Sequence, residues 1–274
     1  MEAKMRILKG GIAFFDSGVG GLTVLLECQK RLPNEIFYYF GDNRHAPYGN
    51  RSPKTIQKWV GRAVKKLLRY QIKALVLACN TATAVCVEDL RKKYGFPIIG
   101  AEPAVLKAVK AGNTVFVLST RATYQSERFQ KLCEKAKKRE PTSNVVAYPC
   151  DALAGAIEKS IFKSDENFAS LLPKGSPDAV VLGCTHYIYI KEQIQRFYGC
   201  EVFDGNKGIA QRLETKLSAE KEKDRDGRPP VTPPKNRSPK KEKTPPEKPL
   251  VFFLGSRKKQ NKRLFEQMFA KCRK

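Results

Sequence analysis

Lys73-Ala74-Leu75-Val76-Leu77-Ala78-Cys79-Asn80-Thr81-Ala82 and Asp178-Ala179-Val180-Val181-Leu182-Gly183-Cys184-Thr185-His186-Tyr187 carry one pattern twice: a short apolar run, a cysteine, then polar residues. Four to eight consecutive apolar residues rich in Val and Leu read as a strand buried on both faces. Ala74–Cys79 and Ala179–Cys184 match at four of six positions. Each copy is preceded by another apolar run ending in a polar turn, residues 11–15 before Asp16-Ser17 and residues 115–118 before Ser119-Thr120. Two coincidences in the same order predict a duplicated α/β unit.

The segments between these strands fit that reading. Gly18-Val19-Gly20-Gly21 leads into a helical stripe of Leu22, Leu25, Leu26 and Leu32, and residues 36–40 read as a second strand. Ser52-Pro53 supplies an N-cap and a first-turn proline. Ile56, Trp59, Val60, Ala63, Val64, Leu67 and Leu68 then recur at a helical period. The expected fold is α/β, two pseudosymmetric doubly wound domains with mostly parallel sheets and the active site in the cleft between them. Residues 1–102 plus 204–274 form the first domain and 103–203 the second. Within the first, 218–249 holds eight prolines, many lysines and almost no aliphatics, and reads as a disordered insertion. Residues 250–254 resume as a strand that returns to the first sheet, followed by a short helix carrying Leu264, Phe265, Met268 and Phe269.

Composition narrows the function classes. With 274 residues and 41% hydrophobic content the chain can build sizeable cores, and no apolar run approaches a membrane span. The run 12–15 is too short for a signal-peptide core, so a cytoplasmic enzyme is expected. Eight cysteines without a Cys-x-x-Cys pair, and only two histidines, leave little to hold zinc; no metal site is expected, and free thiols are. The net charge of +25 is not concentrated in the insertion: 218–249 carries ten Lys/Arg against six Asp/Glu and 250–274 eight against one, leaving most of the excess in 1–217. A basic soluble surface accounts for this. A nucleic-acid or acidic partner is the rival reading, without the interleaved aromatics such binding usually shows.

Ligands of open parallel sheets bind beyond the carboxyl ends of strands. Asp16-Ser17, Cys79-Asn80-Thr81, Ser119-Thr120 and Cys184-Thr185-His186 all occupy such ends. If the halves face each other, two cysteines meet across one cleft. Two acid–base groups on opposite faces of a carbon suit proton removal from one side and return to the other, and an unperturbed thiol pKa of ~8.5 lets a thiol and a thiolate share the work. Backbone N–H groups at helix starts after both cysteines would favour thiolate. His186 is placed to serve Cys184, and Asp16 to serve Cys79 through a substrate ammonium.

Phe15-Asp16-Ser17-Gly18-Val19-Gly20-Gly21, Asp42 with Pro47-Tyr48-Gly49, Ala78-Cys79-Asn80-Thr81-Ala82 and Gly183-Cys184-Thr185-His186-Tyr187, in that order, resemble glutamate racemase. The resemblance covers about 1–217 and the closing strand. It implies interconversion of L- and D-glutamate with no cofactor, and D-glutamate supply for peptidoglycan. It makes Cys79 and Cys184 the proton donor/acceptor pair, the first acting on D-glutamate and the second on L-glutamate. Asp16, Ser17, Tyr48, Gly49, Asn80, Thr81, Thr185 and His186 would hold substrate or tune the thiols. Thr123 would be a further carboxylate contact, and Glu158 stands where the family has a glutamate near the second cysteine. A homodimer is a further expectation. Two departures stand out: Ile188-Tyr189-Ile190 follows Cys-Thr-His-Tyr where the family continues with proline, and 218–249 has no counterpart in the usual pattern.

Simpler readings apply elsewhere. Cys28, Cys86, Cys133, Cys150, Cys200 and Cys272 read as small hydrophobes. Gly18–Gly21 lacks a phosphate-binding spacing and reads as a tight strand-to-helix turn. His45 reads as a loop residue and Asp42 as a brace of its own loop. Enzymes of the same fold, such as aspartate or hydantoin racemases or single-cysteine decarboxylases, remain alternatives, with the second cysteine counting against the last.

Overall fold

The computed structural model describes residues 10–160, 166–226 and 250–271. The first sheet is built from β1 (Gly11–Asp16), β2 (Phe37–Asp42), β3 (Ile72–Leu77), β4 (Ile98–Gly100) and β9 (Val251–Ser256), in the order β4-β3-β1-β2-β9. The second holds β5 (Thr114–Ser119), β6 (Asn144–Pro149), β7 (Ala179–Gly183) and β8 (Glu201–Phe203), in the order β6-β5-β7-β8. Every pairing is parallel. Read from the outer edge, β4-β3-β1-β2 and β8-β7-β5-β6 are the same arrangement, so the duplication expected from the two cysteine strands extends to four strands per half.

Strand alternation decides what each face touches. On one face of the first sheet Ile12, Phe14, Phe37, Tyr39, Ala74 and Val76 pack against α1 (Gly21–Arg31), α9 (Asn206–Asp226) and α10 (Lys258–Lys271). On the other, Ala13, Phe15, Phe40, Leu75 and Leu77 meet α2 (Pro53–Leu67) and α3 (Asn80–Lys93). Helix α2 begins as the sequence dictates, Ser52 Oγ accepting the Thr55 N–H with Pro53 in the first turn. In the second half, Val115, Val117, Ala179 and Val181 face α4 (Val105–Ala108) and α6 (Glu127–Arg139). Phe116, Leu118, Val180 and Leu182 face α7 (Asp151–Ser160) and α8 (Lys191–Tyr198). A four-residue helix, α5 (Arg121–Tyr124), sits between β5 and α6.

The expected insertion begins later than its composition suggests. Residues 218–226 continue α9, because Ile209, Ala210, Leu213 and Leu217 dock the preceding turns onto the first core and the Lys/Glu/Arg-rich sequence that follows is compatible with helix. The proline-rich remainder, 227–249, lies outside the described residues, as does Cys272. Strand β9 does return to the first sheet, pairing with β2 from Phe37↔Val251 to Asp42↔Ser256. Its Phe253 meets Phe265 of α10 with ring centroids 5.7 Å apart. Phe265→Ala should therefore cost about 3–5 kcal/mol in urea unfolding, the range for deleting a buried aromatic, whereas an α10 that merely hung from the chain would lose almost nothing.

Candidate active site

In each sheet the strand order reverses at one place, between β1 and β3 and between β5 and β7. Crevices at such reversals are where open α/β sheets bind ligands. Asp16 ends β1 and Cys79 follows β3; Ser119 ends β5 and Cys184 follows β7. All four are buried, and the two crevices face each other across one polar seam. Thr185 Oγ1 donates to Asp16 Oδ1 at 3.2 Å, Thr81 and Thr120 share a hydroxyl contact of 2.8 Å, and Glu158 Oε2 accepts the Val19 N–H at 3.3 Å.

The glycine-rich turn belongs to this seam. None of Gly18, Gly20 and Gly21 has positive φ, so a left-handed turn is not what they supply. A Cβ on Gly18 would lie 2.5 Å from Glu158 Oε2, one on Gly21 2.6 Å from Asp16 Cβ, and one on Gly20 would run into the Thr185 side chain. Gly18 and Gly20 let the first half approach the second, and Gly21 admits Asp16 and Ala78 of its own half.

The two cysteines have different surroundings. Cys79 caps α3: its Sγ accepts the Ala82 N–H at 3.5 Å and lies 3.5 Å from Ser17 Oγ. Burial, reinforced by the Asp16 charge, nevertheless pushes its thiol up to about 12. Cys184 does not cap a helix, contrary to the expectation from sequence. Residues 185–190 form a 3₁₀ segment and the Cys184 side chain takes no capping bond, the local sequence offering Ile188-Tyr189-Ile190 instead of a first-turn proline. Its partner is His186, whose Nδ1 is 3.8 Å from Sγ. The other ring nitrogen, Nε2, is 2.7 Å from Glu158 Oε2. Burial alone would strip the proton from this imidazole, but its bonds to Cys184 and Glu158 win and hold its pKa well above the ordinary 6.5. Burial would likewise raise Glu158, and the bonds from His186, Asn43 and Val19 instead lower it. Asp16 is raised by burial, offset in part by His186 and the N–H groups of Gly18 and Gly21.

The structure gathers Asp16, Ser17, Cys79, Asn80, Thr81, Thr123, Glu158, Cys184, Thr185 and His186 as buried side chains. The Asn80 amide oxygen has no protein partner. Tyr48 is buried too, but its hydroxyl donates to Asp42 Oδ2 at 2.6 Å, so it braces the loop, and Asp42 also holds His45 Nδ1 at 2.8 Å. His45 stacks on Trp59 with centroids 4.2 Å apart. Gly49 lies against Thr120 and Asp151. Sequence reading did not assign roles to three residues. Thr120 joins Thr81 to Thr123, and its place in the Ser119-Thr120 turn at a strand end had marked the position without a role. Asn43 donates to Glu158 Oε1 at 2.9 Å, and Asn261 on α10 donates to Asn43; no periodicity or motif marks either. Cys28, Cys86, Cys133, Cys150 and Cys200 are free thiols.

A space of about 10 Å³ lies at Cys184, Asn80 and Thr185, about enough for one water. A groove of about 860 Å³ opens outside it, lined among others by Gly49, Arg51, Glu88, Arg121 and Arg128. Among the described residues no group of three or more His, Cys, Asp or Glu could hold a metal ion, and no helix is long and apolar enough to cross a membrane.

Two outcomes follow from this seam. Gly20→Ala should destabilise the protein by about 1–3 kcal/mol, the cost of overpacking, by driving a methyl into Thr185; unchanged urea unfolding would contradict the packing described. The stability that His186 contributes should also depend on pH with a defined sign. Because its folded pKa is raised, its share is full below 6.5 and fades as pH climbs through the folded value. The share of Glu158, whose pKa is lowered, is full above 4.5 and fades on acidification. The stability gap between the unaltered protein and His186→Asn should therefore be widest between pH 4.5 and 6.5.

A family model described as Asp/Glu/Hydantoin racemase matches residues 24–213. The glutamate racemase of Clostridium novyi (strain NT) is 44% identical over 224 residues, spanning 78% of this chain and 85% of that protein. Among solved structures, Escherichia coli glutamate racemase, in complex with L-glutamate and the activator UDP-MurNAc-Ala, gives a TM-score of 0.69 at 30% identity, over 76% of this chain and 83% of that one. Glutamate racemase from Campylobacter jejuni gives 0.68 at 27% identity, over 95% of this chain and 98% of that one. With its duplicated parallel sheets, its two cysteines at matching strand ends and a family match over most of its length, this chain belongs to the Asp/Glu/hydantoin racemase family.

Proposed function

We propose that this protein interconverts L- and D-glutamate without a cofactor, supplying D-glutamate for peptidoglycan, with Cys79 and Cys184 as the two acid–base groups. The observation that carries the reading is the placement of the two thiols after matching strands, β3 and β7, at facing switch points of one cleft. The substrate comes from the curated relatives, which are named glutamate racemases. Residues 1–102 with 204–274, and residues 103–203, are the two domains that close on it.

The unequal surroundings of the thiols set the direction in which this state is primed. Cys184 beside the protonated His186 is the base, and Cys79, held as a thiol by burial, is the acid. Cys184 thiolate removes the α-proton of L-glutamate, leaving a carbanion whose charge spreads into the carboxylate. Cys79 S–H delivers a proton to the opposite face, giving D-glutamate and leaving Cys184 as thiol and Cys79 as thiolate. The reverse reaction starts from that state. Asp16 attracts the substrate ammonium, and that cation in turn eases ionisation of Cys79 by offsetting the Asp16 charge. Asn80 and the hydroxyls of Thr81, Thr123 and Thr185 receive the α-carboxylate; Ser17 and the Tyr48–Gly49 loop face the distal end. A dianionic, carbanion-like species is stabilised best where fixed dipoles and N–H groups already point at it.

The test is a circular-dichroism assay with L- and D-glutamate in deuterated water, under reducing conditions and without added cofactor. Turnover should place deuterium at Cα. Cys79→Ser and Cys184→Ser should each lose most activity, and His186→Asn should lose roughly 10²–10⁴-fold, the usual worth of a positioned acid–base group. Activity with aspartate in place of glutamate would move the substrate assignment, and no exchange with either would sink the racemase reading.

A further inference from the structure

The buried chain of contacts behind Cys184 does not end at Glu158. Glu158 Oε2 meets His186, and its other oxygen, Oε1, accepts from Asn43 Nδ2 at 2.9 Å. Asn43 Oδ1 in turn accepts from Asn261 Nδ2 at 2.9 Å. The polarity of this line is fixed by its carboxylate end. An ionised Glu158 can only accept, so Asn43 must turn its amide nitrogen toward it and its oxygen away. Only a donor can then hold Asn43 in that sense, and Asn261 is that donor. Asn261 is fully buried in a helix otherwise rich in lysine and in apolar side chains, and its own amide oxygen is without a protein partner. A buried amide with one side unmatched is retained against its cost where orientation matters more than stability.

We propose that Asn261 is a positioning residue for the second acid–base group: acting through Asn43, it holds Glu158 and thereby His186 in register beside Cys184. This extends the two-cysteine reading and rests on it for its catalytic meaning, although the relay itself can be tested without turnover. It also gives β9 and α10 a task. These elements follow the 227–249 segment in the chain, yet they place a side chain four contacts from the Cys184 thiol.

The ionisable groups that face Glu158 and His186 come from several elements: Asp16 at the end of β1, Tyr39 on β2, and Cys184 and Tyr189 in the segment after β7. Tyr39 and Tyr189 are neutral donors pinned to the Gly18 and Val19 carbonyls. Asp16 bears on both states of the relay alike. Loss of the Asn261 donor frees Asn43 to turn, removes a bond that keeps Glu158 ionised, weakens the hold on the His186 proton and so disfavours the Cys184 thiolate.

The experiment measures iodoacetamide modification of Cys184 and Cys79 separately, by peptide mass spectrometry, in the full chain without substrate from pH 5.5 to 8.5. Asn261→Leu should slow Cys184 about fivefold at pH 6.5, the scale of one hydrogen bond to a charged group felt at one remove, and shift its profile to higher pH. Cys79 should stay within about twofold, since its cap is untouched. With glutamate, kcat should fall in the same proportion while KM holds. Asn43→Ala should reproduce the effect, and adding Asn261→Leu to it should change nothing more, because the two act in series. If Asn261→Leu does not fold, Asn261→Ser, which keeps a shorter donor, should give a smaller slowing confined to Cys184. Equal slowing of both thiols, unchanged Cys184 reactivity, or additive effects of the two asparagine substitutions would overturn the relay. The expected slowing confined to Cys184, with no glutamate turnover by the unaltered protein, would instead count against the racemase reading alone.

Discussion

The contact on which the rest of the site depends is the buried pair of His186 and Glu158, 2.7 Å apart. Two ionised groups out of water are stable only when every remaining lone pair and proton is matched. Here the matching comes from both halves of the molecule: Cys184 on one side of the imidazole, Val19 and Asn43 from the first half on the carboxylate. The pair therefore does two things at once. It sets the charge beside one thiol, and it ties the second half to the first through the strand-end loops of β1 and β2. Glycine at 18 and 20 follows from the same demand, since the loop must pass against Glu158 and Thr185 without side chains of its own.

Duplication explains the frame, and departure from duplication explains the chemistry. The strand orders of the two halves coincide, and each half brings a cysteine to its switch point. A symmetric site would give both thiols the same proton affinity and no reason for one to be the acid. Cys79 caps a helix and is buried beside Asp16, while Cys184 begins a 3₁₀ segment and leans on a histidine. The difference arises in the few residues after each cysteine: Asn80-Thr81-Ala82-Thr83 enters an α-helix at once, whereas Thr185-His186-Tyr187-Ile188 turns more tightly and aims its histidine back at the sulfur.

What could be read in the sequence follows from range. The strands, the Ser52 cap and the doubled cysteine motif are local patterns, and local patterns survive in one dimension. The strand at Leu250-Val251-Phe252-Phe253-Leu254 was legible as an apolar run, but its position was not: β9 is a half-exposed edge strand, against the buried strand the run suggested, and its pairing with β2 is what places it. The helix running on through 218–226 was hidden by its charge, since what anchors it is Leu213 and Leu217 one to two turns earlier. Asn43 and Asn261 were not legible as site residues, because their importance lies in what they touch across 115 and 218 positions of chain. Polar residues carry no periodic signature, so a single buried asparagine in a basic helix looks like one more exposed residue until its neighbours are known.

The excess positive charge also has a structural account. Helices of a parallel sheet run opposite to their strands, so their C-termini lie at the end away from the cleft. Lys30 and Arg31, Lys65 and Lys66, Arg91 with Lys92 and Lys93, and Lys137 with Lys138 and Arg139 occupy the last turns of α1, α2, α3 and α6. Cations there complement the negative ends of the helix dipoles. The first turns of α1, α2 and α3, at the cleft end, carry no acidic residue that would repel an anion, and Arg51, Arg121 and Arg128 line the outer groove. The helix ends thus account for part of the chain's basicity, while in the groove Arg128 pairs with Glu88 and Glu102, and Glu127 also lines the wall. Neither arrangement requires a nucleic-acid partner to explain it.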